Sequence, residues 1–367
     1  MIGQRLRLAR AASALSLREL QAAIDNLVTA QAIGKYERDE DMPSSRVLSA
    51  LARALNVSED YLLAEEMVLD GIEFRKKSIA SKREEAFVEG QALHLLERYL
   101  TLEDVLGLAS VVWDRPREAP YPVKEVVDAE NAARAIRVHW GLGVDPIPNL
   151  SELLEERGIK VLSVDLTDID GLTARVRRKG GEPVPVIVVM KNIWAERKRF
   201  TLAHELGHML MDVRPGVDAE KAANRFAGAF LMPAEALWRE IGKERTTISL
   251  GEFLRLKELF GASFQAITYR CRDLGIINDA LYKRLFQVFN EQGWRKPPYQ
   301  EPGAIEPAAE QPRRMERLCF RALAEGLLSE SKAAEILGTS VRNLTRLMDE
   351  PSLTDHEDSR LRHVGTD

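Results

Sequence analysis

The stretch T-L-A-H-E-L-G-H, Thr201 to His208, constrains this chain more than any other. Residues four apart on an α-helix lie on one face, one turn above the other. His204 and His208 can therefore present two imidazole nitrogens to a single ion. Glu205 is rotated by about 100° from His204 on a 3.6-residue helix. That offset sets its carboxylate beside the ion, where it can act as a base toward a metal-activated water. A lone H-E-x-x-H occurs by chance in many helices. Here, however, its neighbours Phe200, Leu202, Ala203, Leu206, Met209 and Leu210 are apolar. Burying two histidines and a glutamate among them costs free energy unless a partner compensates. A metal-binding helix over about Glu196 to Met211 follows.

Two protein ligands make a weak zinc site, and catalytic zinc usually takes three, leaving one position for water. The segment Asp218-Ala-Glu-Lys-Ala-Ala-Asn224 opens the next helix, expected over about Asp218 to Leu231 and stopping at Met232-Pro233. Its Glu220 is the candidate third ligand. Asn224, one turn on, can fix the outer nitrogen of a metal-bound histidine by a hydrogen bond. Upstream, a helix over Ser151 to Arg157 ends at Gly158, and the periodicity then shortens. Ile159–Asp165 and Gly171–Arg177 read as strands, as does the β-branched run Pro185–Met190. The strand Val184–Met190 is expected to be the edge on which an extended substrate pairs.

The runs R-F-T-L-A-H-E-L-G-H (Arg199–His208) and E-K-A-A-N-R-F-A-G-A-F-L-M-P (Glu220–Pro233) resemble the ImmA/IrrE family of metallopeptidases, over roughly residues 130–270. The resemblance implies a small thermolysin-like (gluzincin) core. It further implies His204, His208 and Glu220 as zinc ligands and Glu205 as general base, with repressors cleaved at one place as the usual substrates.

The N-terminal residues are patterned differently. Ser16-Leu17-Arg18-Glu19 is a capping box, and Arg46 to Leu55 puts Val47, Leu48, Leu51 and Leu55 on one helix face. The runs R-L-R-L-A-R (Arg5–Arg10), L-S-L-R-E-L (Leu15–Leu20), I-G-K-Y-E-R (Ile33–Arg38), P-S-S-R-V-L (Pro43–Leu48) and L-A-R-A-L-N-V (Leu51–Val57) resemble Cro/C1-type (XRE) helix-turn-helix domains. By that resemblance the helix from Thr29, its N-cap, to Glu37 enters the major groove. Gln31 is the expected base reader, with Ala30 and Gly34 near it, and Gln suits adenine. Lys35, Arg38, Arg18 and Arg5 are expected on phosphates. The chain departs from the family where Leu17 replaces a frequent Gln, and where the turn Asp25-Asn26-Leu27-Val28 is longer and has no glycine. The alternative reading of this five-helix unit is a protein-interaction or dimerisation module.

Residues 78–140 read as helical apart from breaks at Asp114–Pro116 and Ala119–Pro122. Residues 291–312, with Gly, several Pro, Gln and Glu, read as a linker or loose surface segment. Beyond it, A-x-x-L-G-x-S-x-x-x-L (Ala334–Leu344) is again helix-turn-helix-like, with Gly338 making the turn and Ser340 capping the second helix. A packing or partner-binding role is favoured there over DNA.

The fold class expected is mainly α with a small α+β domain: an N-terminal helix-turn-helix bundle, a central gluzincin-type minimal peptidase fold with a short sheet, and a C-terminal helical unit. The divisions are 1–65, a helical connector at 66–129, the peptidase-like domain at 130–290, the linker at 291–312, the helical unit at 313–350 and a polar tail at 351–367. The 52 Lys+Arg against 57 Asp+Glu give a net charge of -5, so DNA binding needs a local basic face. Cys271 and Cys319 lie far apart in the sequence and form no metal pair. With no apolar signal run and no membrane span, a cytoplasmic protein is expected. The leading reading is a transcription regulator that binds a double-stranded operator as a homodimer and carries a Zn2+-dependent endopeptidase that cleaves a protein partner. The alternative is a non-catalytic, antitoxin-like repressor whose peptidase-like fold neutralises a toxin. A general digestive protease is disfavoured, since it would have no use for a DNA-binding domain. Self-cleavage in the 291–312 segment is disfavoured because Pro297, Pro298, Pro302, Pro307 and Pro312 remove N–H groups that strand pairing needs.

Overall fold

The computed structural model describes residues 2–63, 69–70, 82–164, 171–178 and 183–348. The expected tail at 351–367, and residues 78–81 and 165 of expected elements, lie outside the described residues. The chain divides into two compact units. One comprises Met1–Glu66, Leu93–Ala109 and Arg313–Asp367, and the other Met67–Ala92 and Ser110–Pro312.

The first unit opens with α1 (Gly3–Ala12), α2 (Leu17–Ala23), α3 (Ala30–Glu37), α4 (Ser45–Ala54) and α5 (Glu59–Leu63). Short side chains cap α2 and α3. Ser16 Oγ accepts from the Glu19 N–H, and the Glu19 carboxylate accepts from the Ser16 N–H, completing the capping box. Thr29 Oγ1 accepts from the Ala32 N–H at the head of α3. The turn between α2 and α3 needs no glycine because Asp25 and Asn26 take its left-handed positions, at φ 55° and 56°. These residue types tolerate that region best after glycine. Gln21 then locks the turn, its amide donating to Asn26 Oδ1 and its oxygen accepting from the Ala30 N–H. Leu6, Leu20, Ile33, Leu51 and Leu62 are fully buried at the centre of this bundle.

A two-residue strand, β1 (Leu69–Asp70), and the long helix α6 (Lys82–Val105) follow. The helical reading of 78–140 fails after α6. Gly107 turns left-handed at φ 62°, and Asp114 is then drawn to α8 (Leu150–Glu156), its N–H donating to Arg157 O at 2.9 Å. Helix resumes only at α7 (Ala129–His139), after β2 (Tyr121–Val123).

In the second unit, β3 (Lys160–Val164), β4 (Gly171–Arg178) and β5 (Pro183–Met190) form a sheet in the order β1-β4-β5-β3. β4 pairs antiparallel and β3 parallel to β5. β5 is therefore an interior strand, against the expectation that it forms the edge. Its Val184, Val186, Ile187, Val188 and Val189 are all buried, as a strand covered on both faces requires. Among the described residues, β4 pairs on its outer side with β1, at Arg177 and Arg178.

β5 leads into α9 (Ala195–Leu210), whose residues are mostly buried, and then into β6 (Met211–Val213), which pairs parallel with β2. The unit continues through α10 (Ala219–Leu231), α11 (Ala234–Ile241), α12 (Leu250–Phe260), α13 (Phe264–Asp273) and α14 (Asp279–Glu291).

The stretch after α14 is not a loose linker. Glu301, 4% exposed, accepts from Lys257 Nζ and the Phe264 N–H, both at 2.7 Å. Ile305 O accepts from the Ala195 N–H, and the Ile305 N–H donates to Glu196. Glu310, 1% exposed, accepts from the Ser151 N–H at 2.6 Å and from Arg199 Nη1 at 2.9 Å. Pairing with cations and backbone N–H groups offsets the cost of desolvating these carboxylates. The segment is a strap across the first turn of α9, which makes self-cleavage there still less favourable.

The chain then returns to the first unit as α15 (Arg314–Ala324), α16 (Glu330–Leu337) and α17 (Val341–Met348). Ser58 Oγ donates to Glu335 on α16 at 3.0 Å. The His94 ring on α6 packs edge-on against Tyr61 at 5.0 Å. Burial, with Arg98 and Arg5 nearby, pushes the His94 pKa down to about 3, so the ring is neutral.

Candidate functional site

Three side chains from α9 and α10 converge. His204 Nε2 and His208 Nε2 are 3.0 Å apart, and Glu220 oxygens lie 3.5 Å and 3.3 Å from them. A tetrahedral zinc with bonds of about 2.0–2.1 Å spaces its ligand atoms by roughly 3.3 Å, which these separations bracket. Asn224 Oδ1 lies 2.9 Å from His204 Nδ1. As acceptor it holds the proton on Nδ1 and leaves the Nε2 lone pair facing the other two donors. The two imidazole nitrogens and the carboxylate can together serve as electron-pair donors to one cation. The donor set fits a borderline metal such as zinc.

Glu205 is 4% exposed. It sits against the start of β4, for a Cβ built on Gly171 would lie 3.3 Å from Glu205 Cγ and 2.5 Å from Thr201 Cγ2. Only glycine lets the start of β4 approach α9 this closely. Nothing in the sequence pattern marked Gly171. Gly207, inside the motif, serves helix packing, as a Cβ there would meet Phe226 Cδ1 at 2.9 Å.

A half-buried clamp orients α10. Glu130 on α7 receives Arg225 from α10 and a two-pronged contact from Arg270 on α13, while Arg225 also reaches Asp273 at 2.9 Å. Burial alone would raise the Glu130 pKa. The hydrogen bonds and charges of Arg270 and Arg225 together outweigh it and hold the carboxyl below the usual range. Sequence reading missed this clamp because its members come from three separate helices.

In the first unit, Thr29 caps α3, and Gln31, Lys35 and Arg18 are solvent-exposed. Arg38 is exposed too, but both prongs of its guanidinium are on Glu40, at 2.7 and 2.8 Å. Two expectations fail. Gly34 is buried, facing Leu17 and Arg38, and cannot lie near a base. Arg5 is only 7% exposed and is paired with Glu97 on α6 at 2.5 Å, which takes its guanidinium from the surface.

A family profile described as the IrrE N-terminal-like domain, a peptidase type, matches residues 154–272, which include all the residues of the metal cluster. A profile described as helix-turn-helix matches residues 6–62. No curated protein matches the chain, and no solved structure matches it. Among the described residues no helix is long and apolar enough to cross a membrane. The chain thus joins an N-terminal helix-turn-helix domain of the DNA-binding type to an IrrE-like peptidase domain that carries a candidate His/Glu metal site.

Proposed function

We propose that the protein is a cytoplasmic transcription regulator whose second unit is a zinc-dependent endopeptidase acting on a protein partner. The observation that carries this reading is the spacing of His204, His208 and Glu220 beside a buried Glu205. His204, His208 and Glu220 would hold zinc, with Asn224 fixing the His204 tautomer. Bound zinc would supply Lewis-acid polarisation of a peptide carbonyl.

The chain's own residues do the rest. The start of β4 at Gly171, which lies against Glu205, would offer backbone groups to an extended peptide. Glu205 takes a proton from the attacking water as its oxygen bonds to the carbonyl carbon. It then passes that proton to the leaving nitrogen as the C–N bond breaks. A carboxylic acid and an amine result. Strand pairing of this kind confines cleavage to extended loops and linkers of a partner.

The first unit would bind an operator as a homodimer, with α3 in the major groove. Gln31 would read a base there, with Lys35 and Arg18 on phosphates. Arg38 would have to exchange Glu40 for a phosphate.

The test compares wild type with Glu205→Gln, each with zinc and the product of the neighbouring gene. Fragments from wild type alone, with zinc and DNA binding intact in both proteins, are expected. No fragments under any metal condition would instead favour the non-catalytic, antitoxin-like regulator.

A further inference from the structure

We propose that α17 is a second DNA-reading helix, so that the first unit recognises two blocks of base pairs. The sequence pattern alone favoured packing for this part of the chain. The structure buries only Leu344 of α17 and leaves its other seven residues exposed, so packing does not account for them.

The scaffold is that of a helix-turn-helix. Leu318, Cys319 and Ala322 on α15, Ala333, Ala334 and Ile336 on α16, and Leu344 close a small core. Three residues, Gly338-Thr339-Ser340, join α16 to α17, with Gly338 left-handed at φ 65°. A turn of three or four residues, often with a glycine, is the usual length for this motif. It is shorter than the turn between α2 and α3. Ser340 Oγ accepts from the Asn343 N–H and caps α17.

The exposed face has the chemistry of a base reader. In V-R-N-L-T-R-L-M there are two arginines and no acid. Arg342 and Arg346 lie one turn apart, on the same side. Neither is ion-paired among the described residues, whereas nearby Arg321 is held by Glu325 and Lys332 by Glu335. Asn343 and Thr345 stand beside them. Residues at the N-terminal end of such a helix meet base edges; arginine suits guanine and asparagine suits adenine. Exposed Val341 offers an apolar contact for a thymine methyl. The hydrogen bond from Ser58 to Glu335, and the approach of Arg98 to Gly338, place α16 and its turn in the same unit as α1 to α5.

The experiment selects duplexes from a randomised 40-bp pool with the full chain, then measures affinity for the winners across salt concentration. Wild type should select two sequence blocks. The Arg342→Ala/Arg346→Ala variant should lose one of them and bind the wild-type winner at least about 30-fold more weakly. Its log K against log salt slope should stay close to that of wild type, because the two arginines meet base edges and not phosphates. Gln31→Ala/Lys35→Ala should lose the other block. Failure of the N-terminal reading would therefore show separately from failure of this one. Thermal melting checks that the variants fold. If the alanine variant does not fold, Arg342→Lys/Arg346→Lys replaces it. That variant should keep the salt slope yet lose the block, because lysine lacks the two-pronged geometry. An unchanged selected sequence, with or without lost affinity, would overturn the proposal. So would Val341→Ser/Leu347→Ser if it changed the oligomeric mass and left the selected sequence intact, since α17 would then be a protein interface.

Discussion

Replacing Gly207 by alanine adds one methyl group where α9 rests on α10. The new Cβ would lie 2.9, 3.1 and 3.3 Å from Cδ1, Cγ and Cβ of Phe226. Carbon atoms in contact prefer about 3.5–4.0 Å, so the two helices must separate by several tenths of an ångström. Phe226 cannot swing aside, because it is fully buried and stacked on Phe230 at 5.7 Å. Alanine recovers roughly 0.8–1 kcal/mol of helix propensity, and overpacking costs about 1–3 kcal/mol. Net destabilisation of about 0–2 kcal/mol follows from these terms. The larger effect should fall on the metal. Both histidines ride on α9 and Glu220 rides on α10, and metal sites tolerate about ±0.2 Å in ligand distance. Zinc affinity should drop by about 10–100-fold, the range for lost outer support, although no ligand is touched. A chromophoric chelator competition on the folded variant measures this. Gly207→Ala/Phe226→Leu should recover part of the loss. Wild-type affinity in the single variant would refute the claim that this helix contact sets the ligand spacing.

Glu130→Gln should weaken zinc binding by about 10–100-fold, since it loosens α10 without touching the donors. The same residue predicts a pH dependence. Its folded pKa is depressed, so its contribution to stability is complete above the unfolded carboxyl pKa and is lost as pH falls through the lower folded value; urea titrations across that acid range should show this loss in wild type and not in Glu130→Gln. Glu310→Ala strands the buried Arg199 guanidinium and should cost about 3–5 kcal/mol in a denaturant melt, whereas a loose linker would give a change near zero. In the first unit, Gln31→Ala should relax preference at one base position by about 1–3 kcal/mol. Lys35→Ala should weaken binding to all duplexes and lower the salt slope by about one; both are read by fluorescence anisotropy.

What could be read in advance was local. Ser16, Thr29 and Asp218 announce helix starts because a capping side chain needs only its own next turn. The two histidines and Glu205 share one helix, so their spacing was legible at once. What could not be read depends on partners distant in the chain. Glu310 finds Arg199 and Ser151 across 111 and 159 residues, and Glu301 finds Lys257 across 44. A Pro- and Gly-rich composition therefore suggested a linker where charge pairing makes a strap. Arg5 looked like a phosphate contact until Glu97, on a helix much later in the chain, claimed it. The position of β5 was a missed signal, because an unbroken β-branched run already indicates a strand covered on both faces.

On the proposed reading His204, His208 and Glu220 form one catalytic-type zinc centre. X-ray absorption at the zinc edge of the purified, zinc-loaded full chain tests it most directly. About one tightly bound zinc per chain is expected, with two imidazole nitrogens and carboxylate or water oxygens at about 2.0–2.1 Å. The imidazole signal should vanish in His204→Ala, and affinity should fall strongly in Glu220→Ala. A sulfur shell at about 2.3 Å, an all-oxygen shell, or full affinity in Glu220→Ala would contradict it.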